Sequence, residues 1–111
     1  IREVPRDFLR LLDYAGKQND SIDYYIFHQA NSYINGFLAQ KLKLPKEKIP
    51  STIEKYGNTS SVSIPLTIVS ELRGKLAGPS RLLLSGFGVG LTWGTAIIDL
   101  HDCFVGDIVE I

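Results

Sequence analysis

An α/β domain, a mixed sheet with helices on its faces, is what this 111-residue sequence predicts, on three observations. A short unbroken apolar run, Tyr24 to Phe27, and the leucine-centred segment Arg81 to Ser85 have the length and the aromatic or aliphatic content of buried strands. Before and between them, apolar residues recur at the 3.6-residue spacing of helices. After the second segment a glycine-rich bend leads into Leu91 to Leu100, which can pair back on it as an antiparallel hairpin.

The elements follow in order. Val4, Phe8, Leu11, Leu12 and Ala15 form one helical stripe, with Pro5 tolerated in the first turn and Gly16 placed as a stop. Lys17 to Ser21 is polar turn material, and Tyr24 to Phe27 is a strand buried on both faces. Ala30, Ile34, Phe37, Leu38 and Leu42 trace a second helix that ends before Leu44-Pro45. Ile49 to Ile53 reads as a short strand with Pro50 at its edge, followed by a turn at Gly57-Asn58 and an N-cap at Ser61. A third helix runs along Val62, Leu66, Val69, Leu72 and Leu76 to a stop at Gly78-Pro79. Gly86 to Gly90 is the bend of the hairpin, and Gly94 and Ala96 leave one face of its second strand small enough for close packing. Asp107 to Ile111 could add a last short strand. Trp93, Phe27 and Phe37 are assigned to the core.

Composition narrows the functional classes. Twelve basic and twelve acidic residues give zero net charge, which offers no electrostatic basis for binding nucleic acid or an anionic membrane surface. One cysteine, Cys103, cannot form an internal disulfide, and no run of about 18 apolar residues is present, so a cytoplasmic setting is expected. His101-Asp102-Cys103 lacks a fourth ligand, and no metal site is expected. The chain starts at Ile1 and contains no methionine, and it reads as one domain, 1–111, belonging to something larger, with 101–111 as a tail.

Chemistry is concentrated in two segments, Phe27-His28-Gln29-Ala30-Asn31 and Tyr56-Gly57-Asn58-Thr59-Ser60, whose polar residues His28 and Asn58 stand 30 positions apart. That is about the length of a strand-helix-strand unit, so both should reach the carboxyl rim of one sheet together with the 86–90 bend. A lone histidine at a strand end is more often a satisfied structural group, and Asn beside Gly is a common turn former. Together, an imidazole N–H and an amide N–H aimed at one oxygen would make an oxyanion site, although neither residue is a nucleophile. The glycines at 86, 88 and 90 are not a dinucleotide loop, because the third arrives one residue early and a strand follows them. Lys41, Lys43, Lys46 and Lys48 form a basic cluster that is usually a solvated surface and otherwise a dock for an acidic partner.

His28-Gln29-Ala30-Asn31, Gly57-Asn58-Thr59-Ser60 with Ser63-Ile64-Pro65, and Phe87 to Gly94 occur together in one order. At these motifs the chain resembles β-ketoacyl-acyl-carrier-protein synthase III, a thiolase-fold condensing enzyme, continuously from about Ile22 to Leu100. The resemblance implies the C-terminal half of a thiolase-like fold, lacking its first, central strand, so that exposed sheet edges would associate or exchange strands. It implies decarboxylative condensation of an acyl thioester with malonyl-acyl carrier protein, with His28 and Asn58 as two of three catalytic residues. Phe87, Gly88 and Val89 would be the substrate and oxyanion loop, and Gln29, Asn31, Tyr33 and Lys41 candidate carrier-protein docking positions. The third catalytic residue, a cysteine, belongs to the family's N-terminal half; Cys103 is not its counterpart, and the 111 residues alone are expected to be inactive. The implied partners are acyl carrier protein and acyl-CoA, in a homodimer, with no cofactor beyond the phosphopantetheine that carries the substrates. Two positions depart from the family: Tyr33 stands where arginine is common and helps dock the carrier, and Val89 where glycine is usual. The competing class is a catalytically silent thioester-binding or interaction domain on the same scaffold.

Overall fold

The computed structural model describes residues 2–111. Its elements are α1 (Glu3–Tyr14), β1 (Tyr24–Phe27), α2 (Ser32–Lys41), the single turn α3 (Ile53–Tyr56), α4 (Ser63–Glu71), β2 (Ser80–Gly88) and β3 (Thr92–Leu100). The three strands form one mixed sheet of order β1-β2-β3. β1 runs parallel to β2, with Tyr25 opposite Leu83, and β2 pairs antiparallel with β3 from Ser80–Leu100 to Gly88–Thr92.

Strand alternation divides the core into two layers. On one face Tyr25, Phe27 and Leu83 meet Val4, Phe8 and Leu12 of α1 and Leu38 of α2. On the other, Ile26 and Leu82 meet Leu72 and Leu76, with Ile64 and Ile68 of α4 against them. Each large side chain so enclosed contributes roughly 1.5–3 kcal/mol by removal from water. α1 stops where Gly16 enters the left-handed region at φ +62°. Lys17 N–H then donates to Leu12 O and Gly16 N–H to Asp13 O, satisfying carbonyls the helix leaves unpaired.

Several expectations are corrected. Ile49 to Thr52 is not a strand, and Ile53 already begins α3. Pro50 has no donor, while Ser51 and Thr52 bond the Gln29 side chain and Lys48 Nζ donates to Ile22 O, so side chains take the place of a ladder. The helix begun near Val62 closes at Glu71 instead of Gly78-Pro79, because a turn with Gly74 at φ +79° intervenes; Leu72 and Leu76 stay buried. Ser61 does not cap α4, whose preceding turn is the 3₁₀ segment Ser60–Val62. β2 continues through Gly88, which shortens the hairpin bend to residues 89–91. No strand forms at 107–111. Trp93 and Phe37 are exposed by 44% and 38%, outside the core, and open space lies over Gly94 on the supposedly packed face. The expected central vacancy is also absent: β1 and β2 are direct neighbours, joined by the crossover through α2 and α4. Among the described residues no helix is long and apolar enough to cross a membrane.

Tyr25 gives the core an alkaline limit. Burial first, and the nearby Asp20 charge second, push its phenol from 10.0 up to about 12. Its hydroxyl donates to Asn19 O at 2.7 Å. An acid whose native pKa is raised contributes stability that is complete below pH 10 and is lost as pH rises toward about 12. Urea midpoints should therefore fall across that interval, and fall less in Tyr25→Phe; equal losses would contradict the assignment.

Candidate functional site

At the carboxyl ends of the parallel strands lies a cavity of about 1180 Å³ lined by His28, Asn58, Phe87, Gly88 and Val89, among others. All five residues predicted for catalysis and the oxyanion loop therefore meet at one place. His28 arrives as expected, directly after β1; Phe87 and Gly88 are the last residues of β2 itself, and Val89 opens the bend that follows. Asn58 does not follow a strand: it is carried on the loop between α3 and the 3₁₀ turn.

That loop depends on Gly57, whose φ of 68° and ψ of −157° occupy a region essentially closed to residues with a Cβ. The Asn58 side-chain carbonyl then accepts the Ser60 N–H at 2.9 Å, closing an Asx turn. Because a backbone N–H needs an oxygen acceptor, this bond fixes the amide orientation and leaves the NH2 to donate.

His28 is anchored through backbone and ring. Its N–H donates to Ser85 O at 2.9 Å, extending the β1–β2 pairing by one step. The Nδ1 atom lies 2.7 Å from Ser63 Oγ, and Phe87 meets the imidazole edge to face, with centroids 5.4 Å apart and an interplanar angle of 80°. Among the described residues lining the cavity, only Glu3 and His28 are titratable. The ion pairs Lys55–Glu71, Arg73–Asp107 and Arg81–Asp99 lie away from it.

Behind the cavity wall runs a closed ring of buried polar groups. The Thr52 N–H donates to Gln29 Oε1 (3.0 Å), Gln29 N–H to Ser63 Oγ (3.2 Å) and Thr67 Oγ1 to Ser63 O (2.7 Å). Thr52 Oγ1 and Thr67 Oγ1, 2.9 Å apart, close the circuit. Since Thr67 has already donated its only hydroxyl proton, Thr52 is the donor in this last bond. Gln29, Thr52, Ser63 and Thr67 are each no more than 1% exposed. The ring ties the end of β1, the segment before α3 and the first turn of α4 into one unit.

The docking positions divide. Gln29 is corrected to an interior residue, because its Nε2 donates to Phe27 O and its Oε1 serves Ser51 and Thr52. Asn31 caps α2 by accepting the Ile34 N–H at 2.8 Å. Tyr33, 79% exposed, and Lys41 remain on the surface. Four contributors escaped the sequence reading: Ser63 behind the imidazole, Trp93 on the wall, and Glu3 and Val4 from α1. Ser63 and Thr67, four apart within an apolar stripe, were the available signal of a polar helix face.

A parallel pair continued by an antiparallel hairpin, helices on both faces, and a histidine, an asparagine loop and a glycine loop at one rim define half of a thiolase-like fold. Residues 12–100 match the family described as 3-oxoacyl-[acyl-carrier-protein (ACP)] synthase III C terminal, and the chain belongs to that family. It is 41% identical over 103 residues to the β-ketoacyl-[acyl-carrier-protein] synthase III of Lactococcus lactis subsp. lactis, covering 90% of this chain and 32% of that protein. The synthase of the same name from Geobacillus kaustophilus is 45% identical over 95 residues, covering 85% and 31%. The crystal structure of 3-oxoacyl-(acyl-carrier protein) synthase from Burkholderia xenovorans LB400 superimposes with a TM-score of 0.92 at 42% identity, over 97% of this chain and 31% of that one. The chain spans about a third of the length of the curated relatives it matches.

Proposed function

We propose that this chain supplies the histidine–asparagine part of a decarboxylative condensing site, which joins an acyl thioester to a malonyl thioester. The observation that carries the reading is the meeting of His28, Asn58 and the 87–89 segment at one cavity with little charge on its walls. Malonyl loses carbon dioxide, and the electron pair of the broken C–C bond moves into the thioester carbonyl to give an enolate. The enolate oxygen needs donors more than it needs bulk water, and a neutral imidazole N–H and a carboxamide N–H provide them where charge develops. The enolate carbon then attacks the acyl carbonyl, expelling the thiolate that carried it. Cys103 is exposed on the tail and does not line the cavity, so the acyl-carrying thiol of this scheme is not Cys103. The scheme calls for no cofactor beyond the phosphopantetheine arms of the substrates.

Tyr33 and Lys41 bear on what carries the malonyl group. An exposed tyrosine on α2 offers no charge to an acidic carrier protein, which leaves Lys41 and its neighbours, or a CoA-borne donor. The test supplies the intact protein with acyl-CoA primers and malonyl on either carrier, following carbon dioxide and 3-oxoacyl product. Condensation is expected; no product from any pairing would favour a silent binding domain. If the carrier protein is the donor, Lys41→Glu should weaken it about 3- to 10-fold, the size of one rim charge, and leave malonyl-CoA unaffected.

A further inference from the structure

We infer that Ser63 is a positioning residue that selects the His28 tautomer, donating its hydroxyl proton to Nδ1 so that the proton of the neutral ring is held on Nε2. The argument is a proton count. Ser63 is fully buried, so its single hydroxyl proton must find an acceptor within the protein. Its Oγ already receives the Gln29 N–H at 3.2 Å and lies 2.7 Å from His28 Nδ1. If Nδ1 were the donor, Oγ would receive two N–H groups, and its own proton would have no recorded acceptor among the described residues. With Nδ1 as acceptor, every partner is satisfied. A neutral imidazole that accepts at Nδ1 carries its hydrogen on Nε2, the nitrogen left for the cavity that His28 lines.

Ser63 is itself held in place. Thr67, one turn along α4, donates to the Ser63 carbonyl at 2.7 Å, and Thr67 in turn receives the Thr52 hydroxyl. The direction of each bond in the ring is therefore fixed by one-proton hydroxyls and backbone donors, and the ring ends on the imidazole. Phe87, nearly perpendicular to the imidazole with centroids 5.4 Å apart, limits rotation of the ring away from Ser63.

The catalytic meaning of this tautomer rests on the proposed function, but its detection does not. Long-range ¹H–¹⁵N correlation spectra of the intact protein, labelled at histidine nitrogens, should show His28 protonated at Nε2 with an unprotonated Nδ1. Ser63→Ala should bring up the Nδ1–H form and lower kcat for decarboxylation about 10- to 100-fold with KM unchanged, less than deletion of an oxyanion donor. A wild-type ring protonated on Nδ1, or a Ser63→Ala ring identical to wild type, would overturn the inference. Should Ser63→Ala not fold, the wild-type spectrum decides alone. If His28→Ala decarboxylates at the wild-type rate while the native ring carries its proton on Nε2, the functional reading fails and the tautomer assignment stands.

Discussion

Asn58→Ala should slow malonyl decarboxylation by the intact protein about 100- to 1000-fold, the usual effect of losing one oxyanion donor, while acyl transfer onto the protein continues. Acyl transfer persists because that step builds no charge on the malonyl oxygen. Alanine also removes the carbonyl that accepts the Ser60 N–H, so a slower rate could reflect a displaced loop. Asn58→Asp separates the two causes. Aspartate keeps an oxygen for Ser60 and hence the turn, but it replaces the donating NH2 by an acceptor with a negative charge. It should be at least as slow as Asn58→Ala, since it opposes the enolate as well as failing to stabilise it. Carbon dioxide release from a labelled malonyl thioester measures the first step, and labelled acyl group retained on the protein measures the second. An Asn58→Asp variant that decarboxylates at the wild-type rate would take Asn58 out of the mechanism.

How far the sequence disclosed the site depended on whether a residue's neighbours in the chain were also its neighbours in space. β1, β2, β3 and the helical stripes were legible because burial on a sheet or helix face repeats with a fixed period. The Gly57-Asn58 turn was legible for a local reason, since its conformation is set by glycine's freedom and by a bond two residues long. Ile49 to Thr52 failed because its partner is the Gln29 side chain, 23 positions before Thr52, where period and propensity carry no information. Trp93 and Phe37 failed by a different route: apolarity was equated with burial, whereas these rings are 44% and 38% exposed, the former on the cavity wall. Ser63 was visible within a motif, yet its function follows from a bond across 35 positions to a ring nitrogen.

Gln29→Leu should cost about 2–6 kcal/mol of stability, the sum of two buried backbone groups left unpaired at roughly 1–3 kcal/mol each. Leucine fills a similar volume, so the penalty is not that of a cavity. The groups in question are Phe27 O, which accepts Gln29 Nε2–H at 2.9 Å, and the Thr52 N–H, which donates to Oε1 at 3.0 Å. Both lie where water cannot replace the amide, for Phe27 is fully buried and Thr52 and Gln29 are 1% exposed. A surface glutamine would cost a few tenths of a kcal/mol at most. The closed ring adds a second expectation. Thr67 does not bond the Gln29 side chain, yet the two positions share Ser63 and Thr52 as partners, so a double-mutant cycle of Gln29→Leu with Thr67→Val should show a coupling of about 0.5 kcal/mol or more. Urea unfolding of the four proteins gives both numbers. A loss below about 0.5 kcal/mol for Gln29→Leu would mean that water reaches these groups after all, and a coupling near zero would mean that the bonds act singly and the ring is only geometry. The penalty should also reach the chemistry, because Gln29 N–H and His28 Nδ1 share Ser63 Oγ; any Gln29 substitution that lets β1 move relative to α4 should disturb the imidazole before the sheet unfolds.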